Sequence, residues 1–129
     1  MKAVDTNIIV RLLTRDDEKQ FQKAHKIFNN HDIFIADTVL LETEWVLRFA
    51  YKFKPAEINR VLKKLLGLSN VYLANSALVY QSLQWYESGL DFADALHLAL
   101  SEQSSSFLTF DSKFIRQAKG LSECLVEHP

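Results

Sequence analysis

The chain of 129 residues has few of the residues that cross-link or interrupt a fold: one Cys, two Pro and three Gly. The lone Cys124 cannot close an internal disulfide, which excludes a disulfide-stapled scaffold and a Cys-based zinc site, and it suits a reducing compartment. So little Gly and Pro leaves no collagen-like repeat, linker or low-complexity tract, and the loops must be short. No run of about 20 apolar residues is present, so no membrane-spanning helix is expected. Asp5, Asn7 and Arg11 interrupt any signal-peptide core. Neither charge is in excess: 15 Lys and Arg stand against 16 Asp and Glu, a formal net charge of −1. That balance excludes a strongly basic nucleic-acid coat and a polybasic membrane binder. The expectation is a single cytoplasmic domain over residues 1–129, since two domains would each fall near the lower limit for an independent core.

What is present is an alternation of short apolar runs and helical stripes. Ala3-Val4 forms a strand, and Ile8 to Leu13 a short buried helix. Phe21, Ala24, Ile27 and Phe28 have helical spacing behind the acidic cluster Asp16-Asp17-Glu18, which suits a helix N-terminus. Ile33 to Ala36 is the next strand, and Asp37 or Thr38 can cap a helix to about Ala50. Pro55 opens a helix carrying Ile58, Val61, Leu62 and Leu65, closed by Gly67. Val71 to Ala74 is a strand, and Val79, Leu83 and Tyr86 share a helix face that stops at Gly89. Asp91 opens a helix to about Gln103, Phe107 to Phe110 is a strand, Asp111-Ser112 caps a short helix, and Leu125 to Glu127 closes the series. Strands alternating with helices predict parallel pairing, here a three-layer α/β/α domain with a short central parallel sheet. In such sheets ligands bind beyond the carboxyl ends of the strands.

Acidic residues follow those strand ends. Asp5 ends the first strand and Asp111 the Phe107–Phe110 strand; Asp94 lies in a first helical turn. Either strand-end acid serves equally as a helix cap, and Asp91 with Asp94 has capping-box spacing. Glu42 has Thr38, Val39, Trp45 and Val46 three and four residues away, which turns it inward, whereas Glu44 is placed to pair with Arg48 on a solvated face. Carboxylates gathered among apolar groups repel one another and require a proton or a cation. The candidate ligands are all oxygen, and the four His are scattered. His97, one turn past Asp94, reads as packing or surface rather than as a ligand. Oxygen ligation points to Mg²⁺ or Mn²⁺, ions that orient phosphates and activate water.

Four segments in order, VDTNIIVRLL at 4–13, VLLETEWVLR at 39–48, LDFADALHLAL at 90–100 and LTFDSKF at 108–114, resemble the PIN-domain ribonucleases, specifically the VapC-type toxins of toxin–antitoxin pairs. The resemblance covers essentially the whole chain. It implies a PIN-like domain in which Asp5, Glu42, Asp94 and Asp111 are catalytic, with Mg²⁺ or Mn²⁺ held by Asp5, Asp94 and Asp111. Glu42 would position the metal through water or act as a base. Thr6 would hold Asp5 or a metal-coordinated water, Asn7 and Asp91 would support the set, and capping is the alternative for the last two. The implied activity is endonucleolytic cleavage of RNA by metal-activated water. The implied partners are a VapB-type antitoxin and a second copy of the chain in a homodimer. The aromatic residues Trp45, Phe49, Tyr51 and Phe53 are too many for one small core and offer a surface for one of them.

The resemblance also gives the charge pattern a reading. No Lys or Arg occurs from residue 65 to 112, a span holding Glu87, Asp91, Asp94, Glu102 and Asp111, so the remainder carries all 15 basic residues against 11 acidic ones. Arg11, Arg15 and Arg48 are the candidate RNA contacts, with Arg60, Lys63 and Lys64 as further phosphate holders. A phosphorelay receiver would need paired acids after the first strand, and a haloacid-dehalogenase-type phosphatase a second Asp where Asn7 stands. A non-catalytic PIN scaffold that binds RNA or protein, and a housekeeping PIN nuclease without an antitoxin, are the remaining alternatives.

Overall fold

A computed structural model describes all 129 residues. They divide into two compact units, Met1–Ser76 and Ala77–Pro129.

The first unit runs β1 (Lys2–Ala3), α1 (Thr6–Thr14), α2 (Glu18–Asn30), β2 (Ile33–Phe34), α3 (Asp37–Phe49), α4 (Pro55–Leu66) and β3 (Val71–Tyr72). The strands pair in the order β1-β2-β3, all parallel, with Ala3 opposite Phe34 and Phe34 opposite Tyr72. Each crossover is helical, as parallel pairing demands. Because β1 and β2 point the same way, the turns into α1 and α3 leave the sheet at one edge, which brings Asp5 and the start of α3 to the same rim. The helices form for ordinary reasons. Asp17 caps α2, accepting from the Gln20 amide at 3.0 Å, and Ala24 and Phe28, four residues apart, are its buried face. Pro55 occupies the first turn of α4, which buries Ile58, Leu62, Leu65 and Leu66. Ile9, Ile33, Ile35, Leu40 and Leu47 complete the core from α1, β2 and α3.

The second unit runs α5 (Ser76–Glu87), α6 (Phe92–Leu100), β4 (Ser106–Leu108), α7 (Ser112–Ala118) and β5 (Leu125–Glu127). β4 and β5 pair in parallel, with Phe107 opposite Val126. Their shared core is Trp85, Leu90, Ala95, Leu98, Phe114, Ala118 and Cys124. Gly89 turns the chain out of α5 at a φ of +115°, a backbone that favours glycine.

The alternation and parallel sense are as the apolar pattern predicts, and the pairing runs as a three-stranded and a two-stranded piece. Several boundaries differ. β2, β3 and β4 end two residues before their apolar runs do, β1 lies one residue earlier than expected at Lys2–Ala3, and β5 spans Leu125–Glu127 as expected. The residue preceding α3 is Ala36, with no side-chain cap, and Asp37 is the first helical residue. α6 stops at Leu100 rather than near Gln103: the Ser101 hydroxyl donates to the His97 carbonyl at 2.7 Å, and its amide tightens onto Leu98.

Candidate active site

In the first unit the rim is built by Asp5, Thr6 and Glu42. Asp5 is the N-cap of α1; its Oδ1 accepts from the Ile8 amide at 3.1 Å, and Oδ2 takes no intramolecular bond. Thr6, the next residue, is buried, and its hydroxyl donates to Oε1 of Glu42 across 36 residues of sequence. The hydroxyl therefore holds Glu42, where the sequence pointed to Asp5 or a water. Asn7 lies exposed in the first turn of α1. An open groove of about 510 Å³ starts at Asp5 and runs between β1 and α2, with Ile8 and Ile27 as its apolar wall and Lys2 and His31 at its mouth.

The orientation of α3 is opposite to the one read from its neighbours. Glu44 is 1% exposed, and Glu42 is the exposed acid. The buried stripe is Leu40, Thr43, Glu44 and Leu47, a true helical repeat. Trp45 and Phe49, members of the aromatic cluster too large for one small core, are 57% and 47% exposed. Glu44 does pair with Arg48, Oε2 to Nε at 2.9 Å, but inside rather than on a solvated face.

In the second unit the acids are Asp91, Asp94 and Asp111. Asp91 caps α6, its Oδ2 accepting from the Asp94 amide at 3.3 Å. Asp94 follows in the first turn and is half-buried. Burial pushes its carboxyl above the usual carboxylate range, the charges of Asp91 and Asp111 push the same way, and His97 opposes them. Asp111 caps α7: Oδ1 accepts from the Lys113 amide at 3.0 Å and the Phe114 amide at 3.1 Å, and Oδ2 is left over. For Asp5 and Asp111, then, capping and ligation are not alternatives, since each cap occupies one oxygen of two. The Asp111 amide in turn donates to Thr109 Oγ1 at 3.0 Å, which pins the turn after β4. Between them stands Phe110, 84% exposed, the most exposed large apolar side chain in the chain. Sequence reasoning placed it in a strand because it ends an apolar run; the signal that it faces out is the Thr-x-Asp turn around it.

The donors suit a hard divalent cation. All are carboxylate oxygens, and Asp94 is pressed by two like charges in a span of sequence without Lys or Arg. Within neither unit do three His, Cys, Asp or Glu side chains form a ready-made cage. Mg²⁺ does not require one: it keeps several waters and takes one or two carboxylates.

Arg11, Arg15 and Arg48, the expected RNA contacts, all meet carboxylates of the chain. Arg11 binds Asp16 at 2.9 Å and Gln20 at 2.7 Å. Asp16 also accepts from the Tyr51 hydroxyl at 2.6 Å, and that bond, with Arg11 and Thr14, holds it down at about 2. Arg15 is the left-handed C-cap of α1, with φ of 53°; it pairs with Glu18 at 3.0 Å and lies 4.2 Å over the Phe21 ring. Arg48 serves Glu44. Arg60 and Lys64, exposed on α4, stand outside these pairs.

No curated protein matches the chain by sequence. The PIN domain family does match it, over residues 2–120, a stretch that spans both units and every acid described above. The chain belongs to the PIN-domain family.

Proposed function

We infer that this PIN domain, like PIN domains generally, is a nuclease that uses a divalent metal. We propose that this one is a Mg²⁺- or Mn²⁺-dependent endoribonuclease and the toxin of a VapBC-type toxin–antitoxin pair. The observation that carries the nuclease reading is Asp94, a half-buried carboxyl between the charges of Asp91 and Asp111. Asp91 and Asp111 cap helices, but Asp94 caps none, and a cation would relieve the charge gathered around it. Four motif segments in the order of VapC-type toxins support the finer assignment.

In this reading Asp5, Asp94 and Asp111 hold the ion, the two capping residues through the oxygens their helices leave over. When bound, the ion would supply Lewis-acid stabilisation of charge at phosphorus and lower the pKa of water. Glu42 accepts the proton of the attacking water, and Thr6 positions it by the hydrogen bond to Oε1. Asp91 fixes the first turn of α6 and so the place of Asp94. The substrate is RNA, approached through its phosphates by exposed cations such as Arg60 and Lys64. The partners proposed are a VapB-type antitoxin and a second copy of the chain. The exposed Trp45 and Phe49 rings, 5.1 Å apart on α3, are an apolar surface suited to protein contact.

The test is cleavage of total cellular RNA by the purified protein with Mn²⁺ or Mg²⁺, followed by sequencing of the cut ends. Cleavage should stop with chelator and fall at least a hundredfold in Asp5→Asn and Asp94→Asn. A wild-type protein that binds RNA but cuts none with either metal is a scaffold. Growth arrest on expression, relieved by the product of a small neighbouring gene, distinguishes a toxin from a housekeeping nuclease.

A further inference from the structure

We propose that Phe110 is a base-stacking platform that seats one nucleobase of single-stranded RNA beside the acids of the second unit. The proposal rests on the ribonuclease reading and names the part of the substrate that the site grips. Three phenylalanines surround Asp111, and two of them are accounted for. Phe107 and Phe114 meet edge to face, ring centroids 5.7 Å apart, and Phe114 is 3% exposed. Phe110 takes no part in that packing and is 84% exposed. It is not on a loose loop: the residue before it receives the Asp111 amide, and the residue after it is bonded to two amides of α7. With its backbone pinned, the ring has only two side-chain torsions to lose when it binds, a low cost for a recognition platform.

The surrounding charge selects the occupant. Asp91, Asp94 and Asp111 disfavour an anionic group lying directly on the ring, and a nucleobase is the flat, neutral part of a nucleotide. The phosphate needs a cation, and Lys113 lies two residues beyond Asp111. It is exposed, in the first turn of α7, and it is the first Lys or Arg after Lys64. Phe110 and Lys113 thus flank Asp111 with the two chemistries that a single-stranded nucleotide presents: a stacking face and a phosphate anchor. Stacking on Phe tolerates any base, so the platform requires an unpaired nucleotide and prescribes no letter; paired RNA has no free face to offer.

The experiment uses the full chain and a short single-stranded oligonucleotide spanning a mapped cut, with an abasic nucleotide placed at each position in turn. In the wild type, loss of the base at one position near the cut should raise KM about tenfold and leave kcat nearly unchanged. Phe110→Ala should raise KM by a similar factor on the intact oligonucleotide and no longer respond to the missing base. Phe110→Tyr should restore both. Melting temperatures should not move, since the ring packs on nothing. If base removal costs Phe110→Ala as much as it costs the wild type, the platform is overturned while the nuclease reading stands. If Phe110→Ala instead changes self-association in sedimentation and leaves the base response intact, the ring is a protein contact and the proposal is overturned. If the wild type neither binds nor cuts RNA, the nuclease reading falls and takes the platform with it.

Discussion

Asp94 carries an energetic cost. Its carboxyl is raised by burial and by two like charges, so the ionised form is disfavoured in the folded protein and the fold weakens as pH climbs through that raised value. Removing the charge should therefore stabilise the metal-free protein: we expect Asp94→Asn to melt about 2 °C higher without metal and to lose the rise that Mn²⁺ gives the wild type, as thermal denaturation with and without the ion will check. The Asp16 and Glu18 carboxyls have the opposite sign. Tyr51, Arg11 and Thr14 hold Asp16 at about 2, and Arg15 with Gln22 holds Glu18 there too. Their stabilisation is complete above the unfolded value near 4 and is lost as pH falls toward 2. Carboxyl chemical shifts should report both midpoints, and in Asp16→Asn the Glu18 titration should remain while the acid-side loss of stability becomes shallower. The identities of these acids were plain in the sequence, but the partner of Asp16 was not, because Tyr51 lies 35 residues away and no local spacing links them.

At the scale of elements, α3 shows where sequence reasoning succeeds and where it stops. Its range was legible, as were those of α4 and α5, because proline, glycine and an apolar stripe mark their limits. Its rotation was not. The apolar neighbours of Glu42 turned that acid inward and the spacing to Arg48 turned Glu44 outward; instead the side with Leu40 and Leu47 took in Glu44 together with the stem of Arg48. A buried ion pair costs most when one partner is removed. Arg48→Met should therefore lose about 2–4 kcal/mol in urea denaturation, whereas Arg15→Met, breaking an exposed pair, should leave the urea midpoint nearly unmoved. Glu42→Gln should leave stability nearly unchanged and abolish RNA cleavage, which separates the structural acid of α3 from the functional one two residues before it.

Over the whole molecule, charge is partitioned with the units. Residues 1–76 hold 12 of the 15 Lys and Arg, and residues 77–129 hold seven of the 16 acids against three cations. The net charge of −1 conceals this, although the gap in Lys and Arg from 65 to 112 makes it visible in the sequence. The sequence did not reveal how the cations are used: three arginines face carboxylates of the chain, and the freer cations lie on α4. Reversing Arg60 and Lys64 to Glu should lower RNA affinity and reduce the slope of log K against log salt by about 2 in filter binding, with little change in kcat. The family match crossing both units explains why four separated motifs could be read as one domain, while pairing of strands only two or three residues long gives too little pattern to be foreseen.

Cys124 has a further consequence. The chain's only thiol is 2% exposed and packed with Trp85, Leu98 and Phe114, so an alkylating reagent in solution reaches it slowly while that core is closed. Its rate of modification is therefore a clock for the opening of the Ala77–Pro129 unit, with no competing cysteine to blur the signal. A divalent cation that quiets the carboxylates of this unit should slow the clock, so the residue that cross-links nothing becomes the molecule's own gauge of how firmly its acidic half is held shut.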